Sequence, residues 1–401
     1  MSIIIVLMII CWNSVNCYNV INSYPQSRNI DDKLVSVIAL TRHGDRSPSK
    51  SFPKDTFFNT SYWPMGFEQL TNQGKLRHYK LGQWLRSRYD SLISTEYSPN
   101  DIYIYSTDTD RSLMSAAANL AGLYPPVANQ IWNSDLKWQP IPIHSSARKE
   151  DDIITVKRKC PRYKKLYDEV VDSTYYKRLN EQYSHLFAYI SEHSGWKVKD
   201  IGKIKRLRSM LYCEENYNIS YIPEWTKSLD KFTLDFLTGV AFQRYSRTVE
   251  LKRLRTGPFF YYIFSHFDRV INSTEGAPKF LFISGHDTSL ASALDAMGVY
   301  DLYPPNFGAT LLWELRRNEE GAHFVHLFYR KDENILIELN IAECMIDCPY
   351  ETFKSLMEPI TVDISDWILE CAESERSDFK NIIENSTQES SISDQENIGV
   401  N

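Results

Sequence analysis

Positive charge is scarcer than a general nucleic-acid binder requires: 45 Lys and Arg are outnumbered by 51 Asp and Glu, leaving a net charge of −6 and a pI near 5.9. Proteins that hold nucleic acid non-specifically displace counterions with a basic surface, so affinity for anions in this chain has to be local. Long hydrophobic runs are also lacking. The apolar stretch from Met1 to Cys11 is too short to span a bilayer comfortably, and no later segment approaches that length. At the extreme N-terminus such a run reads as the core of a signal peptide over residues 1–17, although Lys and Arg are missing ahead of it; a buried first strand or an anchor is the alternative. Residues 373–401 are polar and poor in apolar side chains, which reads as a disordered tail and not as a stable membrane anchor. No internal repeat is present.

What the chain does have is enough apolar content for a substantial core, 43% of 401 residues, in one large domain or two modest ones. Cleavage near Cys17 would leave Cys160, Cys213, Cys344, Cys348 and Cys371 as candidate disulfide partners in an oxidising compartment, with Cys17 among them if it survives processing. Cys344 and Cys348 could instead be half of a metal site, but no second Cys/His pair lies nearby. Sequons at Asn59, Asn218, Asn272 and Asn385 are candidate glycan acceptors for an exported protein.

Three segments share one layout of strand, polar turn and helix. Val35–Leu40 leads into "TRHGDRSP", Asp101–Ser106 leads into "TDTDR" and a helix-forming stretch, and Lys279–Ser284 leads into "GHD" and "TSLASALDAMG". Repeated βα units predict an α/β protein with a mainly parallel, buried central sheet flanked by helices. Ligands of such sheets bind beyond the carboxyl ends of the strands, so the three turns are expected to converge. Between the first two turns, Thr71 is a plausible N-cap of a helix whose apolar spacing runs through Leu76, Tyr79, Trp84 and Leu85. Residues 157–267 read as a mostly helical insertion, or cap, between the two parts of the α/β catalytic domain at 18–156 and 268–372. "ATLLWELRR", "AHFVHLFYR" and "NILIEL" read as antiparallel strands closing one sheet edge.

Collected, the turn residues are Arg42, His43, Arg46, Arg111, His286 and Asp287. Three guanidinium groups aimed at one point would bind a tetrahedral dianion through forked hydrogen bonds. One imidazole could attack phosphorus to form a phosphohistidine, and a carboxylic acid opposite it could protonate the leaving alkoxide. Taken singly, Arg-His-Gly after a strand is an ordinary solvated turn and His-Asp an ordinary hydrogen-bonded pair. "DTDRS", from Asp108 to Ser112, matches a magnesium-dependent phosphatase motif with Asp108 as nucleophile, but two polar residues separate it from its strand and no acidic pair follows another strand end. His78, His144, His185, His193, His266, His323 and His326 have no arrangement that recommends them and are read as structural or surface residues.

"RHGDRSP" at Arg42–Pro48, "STDTDRSLMSA" at Ser106–Ala116 and "SGHDTSLASAL" at Ser284–Leu294 resemble the three defining segments of the histidine acid phosphatases, the secreted and lysosomal branch of the histidine phosphatase superfamily. The resemblance runs from about Leu34 to Cys371 and includes "GLYPP" at Gly122–Pro126 and "PPNFGATLLWEL" at Pro304–Leu315. It implies that Arg42, Arg46 and Arg111 bind phosphate, that His43 is the phosphorylated nucleophile, that His286 is a second phosphate-contacting histidine and that Asp287 is the proton donor. It also implies disulfides Cys160–Cys371 and Cys344–Cys348. A third family disulfide would involve Cys213, but the position expected for its partner, near Thr310, carries no cysteine, so Cys213 is free or pairs with Cys17. The activity implied is a metal-independent acid phosphatase without cofactor, acting on small phosphate monoesters or phosphoproteins and closest to soluble secreted forms, among them those of insect venom. Members of the family are often homodimers. A phytase or a lysophosphatidate phosphatase of the same family is the alternative activity, and a catalytically silent binder of phosphate ligands is the alternative class.

Overall fold

Val37, Ile38, Ala39 and Leu40 are all solvent-excluded, as a strand covered on both faces by helices requires. The computed structural model describes residues 32–344 and 346–372; the signal segment 1–17, Cys17, Asn385 and the tail 373–401 lie outside the described residues. Strand β1 (Lys33–Arg42) pairs in parallel with β3 (Phe280–Gly285), and β3 in parallel with β2 (Ile102–Ser106). On its other side β1 meets β4 (Thr310–Arg317) antiparallel, followed by β5 (His323–Arg330) and β6 (Leu336–Leu339), with the short β7 (Cys348–Pro349) also on β5. The α/β class, the parallel strands at the core and the antiparallel edge thus agree with the sequence reading.

The pleat of β1 sends alternate residues to opposite layers. Val37 and Ala39 join Leu81, Leu85, Leu120 and Leu123 of helices α1 (Asn72–Arg88) and α2 (Asp110–Leu123). Ile38 and Leu40 join Phe260 and Ile263 of α8 (Val249–Ile271) and Leu290 and Leu294 of α9 (Asp287–Ala296). Thr71 caps α1 as expected, its hydroxyl accepting from the Gly74 amide at 3.1 Å. The expected apolar face is buried only in part: Leu85 points inward and Trp84 packs against the core, but Leu76 and Tyr79 are exposed, and Gly74, His78, Leu81 and Gly82 complete the inward face. Close packing of α1 on α2 selected small residues. A Cβ on Gly82 would lie 2.0 Å from the carbonyl oxygen of Asn119, and one on Gly122 would lie 2.1 Å from that of Tyr79.

The helical stretch from α3 (Pro161–Val171) through α4 (Thr174–Gln182), α5 (Ser184–Ser194), α6 (Ile201–Tyr217) and α7 (Lys231–Gln243) has its own core of Ile190, Ile204, Leu207, Leu237 and Val240, closed by Phe52. Helix α8, which follows, packs against the sheet. Cys160, immediately before α3, is bonded to Cys371, and Cys344 to Cys348. Because the first bond closes a loop across a sequence separation of 211, it removes much freedom from the unfolded chain. Replacing both cysteines by serine is expected to lower unfolding stability by roughly 4 kcal/mol, read from the urea midpoint of the purified protein. An unchanged midpoint would show that the packing of Trp367 and Leu254 around this bond suffices without it.

Candidate active site

Backbone hydrogen bonds splice the three strand ends into one surface. The amide of His43 donates to Gly285 O (3.0 Å), that of Arg42 to Ala309 O (2.9 Å) and that of Thr107 to Ser284 O (3.1 Å). The loop after β1 lies hard against the start of α1: a Cβ on Gly44 would meet the Gly74 carbonyl oxygen at 2.5 Å, so this contact requires glycine. Asp45 of the same loop turns away from the strand ends and accepts a bidentate pair from Arg77, at 2.6 Å to Nε and 3.1 Å to Nη2. His78, buried on α1, donates from Nε2 to the Arg42 carbonyl at 3.0 Å, which makes it a brace for the loop.

The structure brings Arg42, His43, Arg46, Arg111, His286 and Asp287 together. His43 is buried, and its Nδ1 lies 2.9 Å from the Gly44 carbonyl oxygen. A carbonyl only accepts, so Nδ1 carries the hydrogen and the lone pair sits on Nε2. The His43 and His286 rings meet edge to face with centroids 5.5 Å apart. His286 Nε2 is 3.0 Å from the Thr107 hydroxyl. Arg42 makes an ion pair with Asp287 Oδ2 at 3.0 Å, donates to Pro305 O at 2.5 Å and stacks over Phe307, 4.2 Å from the ring centroid. Arg46 donates to Ser47 O (2.9 Å), to Ser209 Oγ (3.2 Å) and more weakly to Cys213 Sγ (3.4 Å). Arg111 differs from both. Among the described residues its guanidinium makes no hydrogen bond, and its Nε, like that of Arg42, is buried without a partner.

Electrostatics follow from this crowding. Burial, then Arg111 and Arg42, hold the His43 pKa well below 6.5, and burial and Arg111 press that of His286 down to about 3. Both rings are therefore neutral in mild acid. Burial and the neighbouring Arg46 lower the Arg111 pKa to about 10, a sign that the pocket is short of negative charge. Burial alone would raise the pKa of Asp287, but Arg42 and Arg46 outweigh it and the net shift is downward. Asp287 is the first residue of α9, where the helix dipole also favours the carboxylate.

These groups face two adjoining hollows. One, spanning ≈660 Å³ with its mouth open to solvent included, is polar and lined by His43, Arg46, Arg111, His286 and Asp287 together with Thr107, Arg148, Lys157 and Arg255. The other, of ≈370 Å³, lies on the far side of Arg42 and Asp287 against Tyr212, Phe242, Tyr303 and Pro304, so residues of the helical stretch do line the space beside Asp287. Sequence reasoning missed Thr107, although it directly follows β2, and it missed Arg148, Lys157 and Arg255, which stand in no motif. Asp108 is exposed at the rim of the polar hollow. Cys213 is buried and free, and Thr310 is occupied in hydrogen bonds to Thr41 Oγ1 and Gly308 O; Cys17 lies outside the described residues. Cys344 and Cys348 are consumed by their mutual bond.

The profile of the histidine phosphatase superfamily (branch 2) matches residues 33–330. Prostatic acid phosphatase of Rattus norvegicus is 34% identical over 350 residues, spanning 84% of this chain and 89% of its own. Lysosomal acid phosphatase of Xenopus laevis is 33% identical, spanning 84% and 79%. Among solved structures, the phytase of Citrobacter braakii superposes with a TM-score of 0.64 at 19% identity, covering 84% of this chain and 99% of that one, a likeness of fold.

Proposed function

This chain belongs to branch 2 of the histidine phosphatase superfamily, and from that premise we propose that it hydrolyses phosphate monoesters as an acid phosphatase, through a phosphohistidine on His43. The observation that carries the assignment of residues is the fixed tautomer: with Nδ1–H tied to Gly44 O, Nε2 holds the lone pair at the bottom of a cleft walled by arginines. In the first displacement Nε2 attacks phosphorus, the bond to the leaving oxygen breaks, and Asp287 gives that oxygen its proton. In the second, Asp287 takes a proton from water, the oxygen attacks phosphorus, the P–N bond breaks, and phosphate and neutral His43 are released. Arg42, Arg46 and Arg111 stabilise the equatorial oxygens, Arg111 with donors that no group among the described residues uses. His286, oriented by Thr107, contacts the phosphate beside them. A metal ion has no part in either step.

The assignment sets the pH dependence. His43 acts unprotonated, and its depressed pKa keeps it competent far below pH 6.5. Asp287 must carry a proton to act as donor; Arg42 opposes this, whereas a bound phosphate dianion favours it. Raising the pH removes that proton. The kcat profile is therefore expected to peak in acid and to fall as pH rises through neutrality, and an alkaline optimum would defeat the assignment of Asp287.

For location we propose export to the cell exterior. Support comes from the two disulfides and from the exposed asparagines of the sequons at Asn59, Asn218 and Asn272. Among the described residues no helix is long and apolar enough to cross a membrane.

A further inference from the structure

The polar cleft contains more positive charge than one phosphate needs. Beyond the arginines assigned above, Arg148, Lys157 and Arg255 line the same wall. Among the described residues, the side chains of Arg148 and Lys157 make no ion pair or hydrogen bond, and both are exposed. The acids nearby are engaged with other groups. Asp151 is solvent-excluded and its carboxylate is saturated by its own turn, accepting from the amides of Ile154 (2.8 Å) and Thr155 (3.2 Å) and the Thr155 hydroxyl (2.8 Å). Asp108 accepts only from the backbone amide of Arg148, at 3.3 Å. Arg255 is held in place by donating from Nη1 to the Thr155 carbonyl.

The three cations act on one another and on the catalytic groups. Desolvation at the cleft wall, then Arg255 and Arg148, push the Lys157 pKa down. Arg148 likewise contributes to the lowered pKa of Arg111, and Lys157 to that of His286. The cluster is thus continuous with the phosphate pocket. Mutually repelling cations that outnumber the acids lining the cleft are relieved by an anionic ligand, and guanidinium and ammonium groups are the donors that phosphate oxygens favour.

We propose that Arg148, Lys157 and Arg255 form a second anion subsite that takes the other phosphate of a doubly phosphorylated substrate while its first phosphate lies against His43. This rests on the phosphatase reading and names the substrate class. The exposed pair Arg148 and Lys157 can be replaced without disturbing packing, whereas Arg255 supports the Thr155 turn.

Binding and turnover separate the two ideas. Calorimetry on the His43→Ala chain, which leaves ligands intact, compares glucose 1,6-bisphosphate with glucose 6-phosphate. The bisphosphate is expected to bind at least tenfold more tightly, and adding Arg148→Ser with Lys157→Ser should erase most of that advantage; Lys157→Glu alone should reduce it further than Lys157→Ser alone. Equal affinities in the parent, or an advantage that survives the double substitution, would overturn the subsite. Turnover of both sugars by the wild-type chain tests the phosphatase reading by itself: hydrolysis of neither would sink that reading and leave the binding result to decide the subsite.

Discussion

His43→Ala is expected to lower kcat toward p-nitrophenyl phosphate at acid pH by on the order of 10⁴-fold or more, the largest effect of any single change in the cleft. The reason is specific to the geometry. On the proposed mechanism the imidazole forms the covalent bond; its Nδ1–H bond to Gly44 O leaves the lone pair on Nε2, burial and the arginines keep the ring neutral, and the same hydrogen bond steadies the positive charge that develops once Nε2 is phosphorylated. Alanine leaves the arginines in place, so substrate binding should persist while turnover fails. Quenching wild-type protein in neutral detergent during turnover of ³²P-labelled substrate should trap one acid-labile, alkali-stable phosphoryl group on His43, absent from the variant. EDTA should leave both labelling and turnover unchanged. Intact activity in His43→Ala, or label on Asp108, would move the nucleophile elsewhere and revive the magnesium-dependent alternative.

Replacing Asp287 by Asn should produce the second largest loss, about 10²–10³-fold in kcat/KM for an alkyl ester such as 2-glycerophosphate. Asparagine keeps the shape and the first-turn position but has no proton to give. p-Nitrophenolate leaves without help, so kcat/KM for its ester should fall at least tenfold less. Because the carboxylate also activates water in the second displacement, phosphoenzyme should accumulate with this good leaving group and appear as a burst of p-nitrophenol. The descending limb of the pH profile should flatten, since the group whose deprotonation causes it is gone. Equal losses for both esters would show that Asp287 serves only as the counterion of Arg42.

The strand-end motifs were legible because each carries its chemistry within a few residues of an apolar strand, a pattern that local sequence displays. The inward face of α1 was legible only in Trp84 and Leu85. Its periodic apolar residues Leu76 and Tyr79 remain in solvent, because contact with α2 is made through Gly82 and Gly122, whose backbones approach other carbonyls too closely for any side chain. Arg148, Lys157 and Arg255 escaped notice for another reason. They come from a loop and from the second turn of α8, and nothing in their neighbourhoods marks them until the fold lays them along one cleft.

The sequence by itself determined the class of fold, the six residues of the candidate site and the chemistry they support, since strand periodicity and residue type are local properties. Only the tertiary structure decided how those residues are held. Parallel pairing of β2, β3 and β1 sets three distant turns side by side, and the carbonyl of Gly44 selects which nitrogen of His43 is free. It also decided that Asp45, in the same charged turn, serves Arg77, while Asp287 lines the polar cleft. Tautomer, ion-pair partner and surplus charge are relations between groups far apart in the chain, and such relations exist only once the strands are paired.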